Sequence, residues 1–301
     1  MESKFNHSDL WKSLEEQLFT DIDTIDLNSF RMPGELNNRL ASWDPYDSRS
    51  YRYYLNILYN LATSMPEEFF DYYAKIGESN LGNPLSIKYN SLMINMDYLF
   101  SCQEILFMQD VLPVQKNICE IGVGFGRTCH AIVNNFAQIE NYYIIDLPGC
   151  LGLSHRYLKE VLNEKEFAKI HFIPYPDAGS IDLIDLYINI DSMAEMRQGV
   201  VLNYLDIIDS TGKYFYSRNP ICKYNAERIG LKPLNSAQRK SAMNTGLCKE
   251  VIDIFDEDAL KSAKDNYCQK YSPSKKWRIL KDEASLPWQY YHHVLYRNLN
   301  I

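Results

Sequence analysis

The sequence has no Cys-x-x-Cys pair, no apolar run near the roughly 20 residues of a membrane-spanning helix, no internal repeat and no low-complexity tract. It also lacks any basic excess: 31 lysines and arginines stand against 39 aspartates and glutamates, for a net charge of −8. Nucleic acid and anionic membrane surfaces select a basic face, so neither is expected as the main partner. The only close histidine pair, His292-His293, consists of chain neighbours, which in a strand point to opposite faces, so no zinc cage and no metal site is expected. The opening MESKFNHSDLWKSLEEQ carries acidic residues and no apolar signal core. With seven scattered cysteines, an odd number that reads as small buried hydrophobes, this places the chain in the cytoplasm. What is present in quantity is apolar side chain, 46% of 301 residues, enough for one large domain or two unequal ones.

The pattern changes near residue 114. Before it the spacing is helical: Leu10, Leu14 and Leu18 recur every four residues behind Ser8, with Trp11 on the same stripe. Further helices are expected over residues 52–61, from Pro66 with Glu67 and Glu68 in the first turn to a stop at Gly77, and over 92–108. Residues 1–114 thus read as a tyrosine-rich, all-helical subdomain. Its aromatic content is compatible with pairing of two copies, and core packing accounts for it equally well.

After Pro113, short apolar runs alternate with helical segments, the mark of a parallel sheet covered by helices. Strands are expected at 117–121, 142–146, 170–173, 186–190 and 213–217, helices at 126–136, 149–163 and 194–209, and closing strands at 277–280 and 290–297. The fold class is therefore α/β, a Rossmann-like, mostly parallel sheet with helices on both faces, over residues 115–301. The long polar stretch at about 218–275 reads as an insertion over the sheet edge.

The most informative run is Glu120-Ile121-Gly122-Val123-Gly124-Phe125-Gly126-Arg127, where the first of these strands hands over to a helix. Ligands of such sheets bind outside the carboxyl ends of the strands, where the backbone must turn sharply and come close. A dinucleotide fingerprint needs its third glycine at the position held by Arg127, and a P-loop needs a lysine that is absent. The spacing suits a nucleoside without phosphates whose amino-acid tail lies against Gly122, Gly124 and Gly126, with Glu120 organising the site of the tail's ammonium. Asp146 falls 146 − 126 = 20 residues past the last glycine, at a strand end, where a carboxylate can accept from both ribose hydroxyls. That is the geometry of S-adenosylmethionine; taken singly, each acid also reads as an ordinary capping or loop residue.

Residues 118–158 resemble class I S-adenosylmethionine-dependent methyltransferases, in particular the bacterial putative sugar O-methyltransferases of polysaccharide gene clusters. That family pairs an acid-Ile-Gly-x-Gly-aromatic-Gly loop with an Asp-Leu-Pro turn, here Asp146-Leu147-Pro148. Gly82-Asn83-Pro84 and the stretch from Asn189 to Met196 are also similar, so the resemblance covers roughly residues 78–220. The chain departs from the family's more glycine-rich loop at Val123 and Arg127. The resemblance implies an adenine contact from Asp177, which reads equally well as an exposed turn residue. It also implies O-methylation of a small-molecule or carrier-linked sugar acceptor in surface-polysaccharide biosynthesis. The Asp-Leu-Pro turn is shared with methyltransferases of phenols and related natural products, which keeps that class open, as does a non-catalytic cofactor-binding partner.

Methyl transfer to a hydroxyl needs a base for the departing proton. Asp191 and Glu195, just past the fourth strand, lie at the expected edge; Ser192-x-x-Glu195 is also the spacing of a helix capping box. His292 or His293 is the other candidate, because an antiparallel last strand would begin at that same edge. Arg218 and Asn219, past the fifth strand, are candidates for binding acceptor hydroxyls or a carrier phosphate. His130 and His155 sit inside helices and read as packed or surface residues.

Overall fold

The structure, a computed structural model, describes residues 50–229 and 242–301. The helix expected through Leu10, Leu14 and Leu18 lies outside the described residues. Residues Leu55–Ile301 form one compact unit, so the boundary expected at residue 114 falls inside it; the other unit, Met1–Tyr54, is almost wholly undescribed.

Helix α1 spans Ser50–Ser64 and α2 spans Glu67–Ile76. Helix α2 begins after Pro66 with two acids in its first turn and ends at Gly77, whose φ of +79° stops it, as the sequence indicates. The region before residue 114 is not wholly helical. Strands β1 (Ser86–Tyr89) and β2 (Leu92–Asn95) pair antiparallel across Asn90-Ser91, and both loop residues have positive φ, the geometry of a two-residue type I′ turn. The helix expected from residue 92 therefore starts later, as α3, Met96–Met108, with the Asn95 side chain accepting from the Tyr98 N–H at 3.1 Å.

The main sheet contains β3 (Asn117–Ile121), β4 (Asn141–Asp146), β5 (Ile170–Pro174), β6 (Ile184–Ile190), β7 (Gly212–Pro220), β10 (Trp277–Ala284) and β11 (Tyr291–Asn298). Their spatial order is β10-β11-β7-β6-β3-β4-β5, and β11 runs antiparallel to both neighbours. Between these strands lie α4 (Arg127–Asn135), α5 (Pro148–Val161), α6 (Glu164–Phe167) and α7 (Gln198–Thr211).

The polar stretch read as an insertion contains an integral crossover. Strands β7 and β10 run parallel in one sheet, and parallel strands need a covering connection. Helix α8, Glu257–Lys270, supplies it beyond the short pair β8 (Lys223–Tyr224) and β9 (Val251–Ile252). Asp256 caps α8, and Ala263, Tyr267 and Cys268 are buried against the sheet.

Alternation along the strands builds two cores. Ile118 and Tyr216 face the layer that includes α2 to α5, while their neighbours Cys119 and Phe215 face the layer that includes α7 and α8. The central strand β6 is buried on both sides, consistent with its near-continuous apolar run. Among the described residues no helix is long and apolar enough to cross a membrane.

Candidate active site

The carboxyl ends of β3, β6 and β7 and the start of β11 meet at one edge of the sheet. A cleft of about 270 Å³ opens there, floored by Glu120, Gly122, Val123 and Gly124. Asp191 and Arg218 stand on its far side, with Phe100, Trp288 and Tyr291 as aromatic walls.

Gly122 has a φ of +81°, and a Cβ there would collide with the Ser192 side chain. The collision follows from how the strand ends are tied. Ser192 Oγ donates to the Ile121 carbonyl at 3.0 Å, and Asn189 Nδ2 donates to that carbonyl at 2.8 Å and to Ser192 Oγ at 2.7 Å. Gly124, with a φ of +58°, has open space where a Cβ would stand, which is the side a ligand can approach.

Glu120 is buried and accepts a hydrogen bond from the Tyr142 hydroxyl at 2.8 Å. Burial pushes its carboxyl up to about 8, although the Tyr142 bond and the Arg127 charge both pull it down. A buried acid on a cleft floor, short of compensating charge, fits the ammonium of an amino-acid tail.

Asp146 is tied to the loop itself. Its Oδ2 accepts from the Val123 N–H at 2.8 Å and the Gly124 N–H at 3.3 Å, and its Oδ1 accepts from the Leu147 N–H at 2.7 Å. A carboxylate offers about four acceptor positions, so little capacity is left for the two ribose hydroxyls expected from the sequence. Its first task is to hold the turn. Leu147 precedes Pro148 at the start of α5 with its side chain exposed. Asp177 lies in an exposed 3-10 turn after β5, and neither it nor Leu147 lines the cleft.

Asp191 follows β6 with a φ of +64°, a conformation disfavoured for any residue with a Cβ. Its N–H donates to the Arg218 carbonyl at 2.8 Å, and its Oδ1 accepts from the Tyr291 hydroxyl at 3.0 Å. Burial and the Asp191 charge hold the Tyr291 phenol above its usual range, so Tyr291 is the donor. The capping box expected at Ser192 and Glu195 does not form: Ser192 is turned toward β3, the segment is a 3-10 turn, and α7 starts only at Gln198. Glu195 is exposed and does not line the cleft; partial burial and Asp191 raise its carboxyl, and Lys223 opposes this.

Alternation sends the members of each neighbouring pair to opposite faces of the sheet. Arg218 faces α3, where its guanidinium lies 4.7 Å from the centroid of Phe100 and 5.3 Å from that of Tyr291. Asn219 faces the opposite layer and is fully committed: Nδ2 donates to Asn189 Oδ1 at 2.8 Å and to Ser217 Oγ at 3.0 Å, and Oδ1 accepts from the Ala194 N–H at 3.2 Å. Its role is to join strand ends, not to hold an acceptor. His292 faces that same layer, 2.9 Å from Asp282, and burial lowers its pKa. His293 faces Tyr216 and Phe107 and is lowered by burial and Arg218. Neither histidine lines the cleft. Cys268, Asp282 and His292 do bring ligand-type atoms within 4.8 Å of one another, a grouping invisible in the sequence; Lys264 Nζ, 3.5 Å from Asp282, already supplies a cation there.

Three contributors escaped the sequence reading. Glu104, in the last turns of α3 before Ile105, Leu106 and Phe107, is fully buried and binds Arg127. Trp288 and Tyr291 reach the cleft from the segment leading into β11 and its first residue. The signals were an acid amid Leu, Ile and Phe, and an aromatic cluster just before the last strand.

No family model and no curated protein matches the sequence. Solved structures do resemble it. The mitomycin 7-O-methyltransferase MmcR aligns at 12% identity over 82% of this chain and 68% of that one, with a TM-score of 0.41. The methyltransferase domain of bacterial CtHen1-C aligns at 10% identity over 68% and 99%, with a TM-score of 0.48. The magnesium protoporphyrin IX methyltransferase of Synechocystis PCC 6803, with bound SAH, aligns at 13% identity over 77% and 95%, with a TM-score of 0.41. The fold assignment rests on the chain's own strand order: a mostly parallel sheet with an antiparallel β11 between β7 and β10, covered by helices on both faces, is a Rossmann-like α/β fold.

Proposed function

We propose that this chain is an S-adenosylmethionine-dependent O-methyltransferase whose acceptor is a sugar hydroxyl in bacterial surface-polysaccharide biosynthesis. The observation that carries the reading is the sharing of one cleft by the glycine loop, the buried Glu120 and the strained Asp191. Glu120, Gly122 and Gly124 would hold the amino-acid tail, and Asp146 would fix the loop that does so. When bound, S-adenosylmethionine supplies an electrophilic methyl group.

The chain's own contribution is position and proton removal. Holding acceptor and donor at near-attack distance is worth up to ~7–11 kcal/mol. A neutral sugar hydroxyl must lose its proton as the bond to carbon forms, and Asp191 is the carboxylate placed to receive it. Tyr291 fixes the orientation of that carboxylate through the 3.0 Å hydrogen bond. A general base of this kind contributes about 10²–10⁴-fold.

The aromatic walls favour one alternative acceptor, a phenolic or other natural-product hydroxyl, because Phe100, Trp288 and Tyr291 can stack on a planar ring as well as on a sugar face. Assaying methyl transfer from labelled S-adenosylmethionine to panels of sugars, nucleotide sugars and phenols separates the two. Turnover of sugars alone supports the proposal, and turnover of phenols alone replaces it.

A further inference from the structure

The hydrogen bonding of Arg218 is incomplete. Glu104 gives both its oxygens to Arg127, at 2.9 Å each, and its Oε2 also accepts from Thr128 at 3.1 Å. Arg218 Nη1 reaches the same carboxylate only at 3.7 Å. Two guanidinium groups therefore share one carboxylate; Glu120 and Asp97 lie near Arg127 and Asp191 lines the same cleft, but none of them accepts a hydrogen bond from Arg218 Nη2. Arg218 Nε donates to Ser285 Oγ at 2.9 Å, while its Nη2 is buried with no hydrogen-bond partner. Side-chain exposure of Arg218 is only 5%. An unpaired charged donor away from water is among the costliest groups to bury, and guanidinium is shaped for carboxylate and phosphate oxygens.

The position of Arg218 says which ligand an acceptor for its Nη2 would belong to. Arg218 lines the cleft on β7, two strands from the glycine loop on β3, or about 10 Å at ordinary strand spacing. Its neighbours there are Asp191, Trp288 and Tyr291, on the side assigned to the acceptor. We propose that the acceptor carries an oxyanion, a carboxylate or a phosphate, which Arg218 binds while Asp191 receives the proton of the hydroxyl being methylated. This deepens the methyltransferase reading and rests on it.

The test uses the full chain and three probes at matched ionic strength: glucose 1-phosphate, glucuronate and glucose. Thermal-unfolding midpoints and calorimetric titrations are compared for the wild type, Arg218→Lys and Arg218→Gln. The expected result is that an anionic sugar binds the wild type at least about tenfold more tightly than glucose. Arg218→Lys keeps part of the preference and Arg218→Gln loses it. Which of the two anionic sugars gains more identifies phosphate or carboxylate as the source. Equal behaviour of all three sugars with the wild type overturns the proposal, a result that needs no variant to fold. So does a preference that persists in Arg218→Gln. Titration with S-adenosylhomocysteine separates the two levels of the argument: the wild type and Arg218→Gln should bind it alike. A tenfold loss in Arg218→Gln with no preference among the sugars moves Arg218 to the cofactor tail and overturns the acceptor assignment. No binding by the wild type defeats the methyltransferase reading itself, while the sugar preference is still read independently.

Discussion

Arg127, at the position where a dinucleotide loop carries its last glycine, is locked to Glu104 of α3 by two hydrogen bonds of 2.9 Å each. The first turn of α4 is thereby bolted to the helix beside it, and the glycine loop is held from below. Breaking a buried pair leaves an uncompensated charge, which costs about 3–5 kcal/mol. Arg127→Met is expected to lower unfolding stability by that order, measured by denaturant titration. Glu104→Gln should cost at least as much, because it strands Arg218 as well as Arg127.

Within the loop, Gly122 and Gly124 should respond differently to alanine. Both require positive φ, a cost of about 1–2 kcal/mol for a residue with a Cβ. Only at Gly122 does the new Cβ also collide with Ser192, which ties β3 to β6. Gly122→Ala is expected to lose more stability than Gly124→Ala, and to weaken S-adenosylhomocysteine binding as the strand ends part. Equal stability losses would contradict the packing described.

Glu120 gives a pH signature. Its folded value of about 8 lies above the unfolded value of about 4.3, so the native state holds a proton that the unfolded chain releases. Its contribution to stability is present below pH 4.3 and is lost as pH rises through 8. The ligand-free wild type should therefore lose more stability than Glu120→Gln between pH 5 and pH 9. Binding a ligand ammonium requires the ionised acid, so near pH 7 complex formation should release close to one proton. Calorimetry in buffers of different ionisation enthalpy reads that release, and Glu120→Gln should abolish it.

Asp191→Asn keeps a side chain that tolerates the φ of +64° but cannot accept the proton. Turnover should fall about 10²–10⁴-fold with S-adenosylhomocysteine affinity unchanged. Glu195→Gln and His292→Ala, away from the cleft, should leave turnover within a few-fold of wild type. Loss of turnover in His292→Ala without loss of folding would restore the histidine as a base.

The strands and the loop were legible because their signals are local: an apolar run, then three glycines at fixed spacing, then Asp146 at the next strand end. Helix α8 was missed because polar and charged residues outnumber apolar ones along it, although Leu260, Ala263, Tyr267 and Tyr271 keep helical spacing behind the cap at Asp256. Pairing across the Asn90-Ser91 turn competes with helix formation at residues 92–95, and only the backbone shows which prevails. The division of labour between Arg218 and Asn219, and the turning of His292 from the cleft, follow from strand alternation once the sheet face is known. The Arg127–Glu104 pair joins residues 23 apart on different helices, a contact that no single-segment pattern encodes.

The central claim is that the turn after β3 holds the amino-acid end of a sulfonium nucleoside. Calorimetric titration of the wild-type chain with S-adenosylhomocysteine, beside NADH and ATP as controls, tests it most directly. The account predicts one-to-one binding of S-adenosylhomocysteine that Gly122→Ala weakens, and none of either control. No heat with S-adenosylhomocysteine, or saturable binding of NADH or ATP in its place, would contradict it.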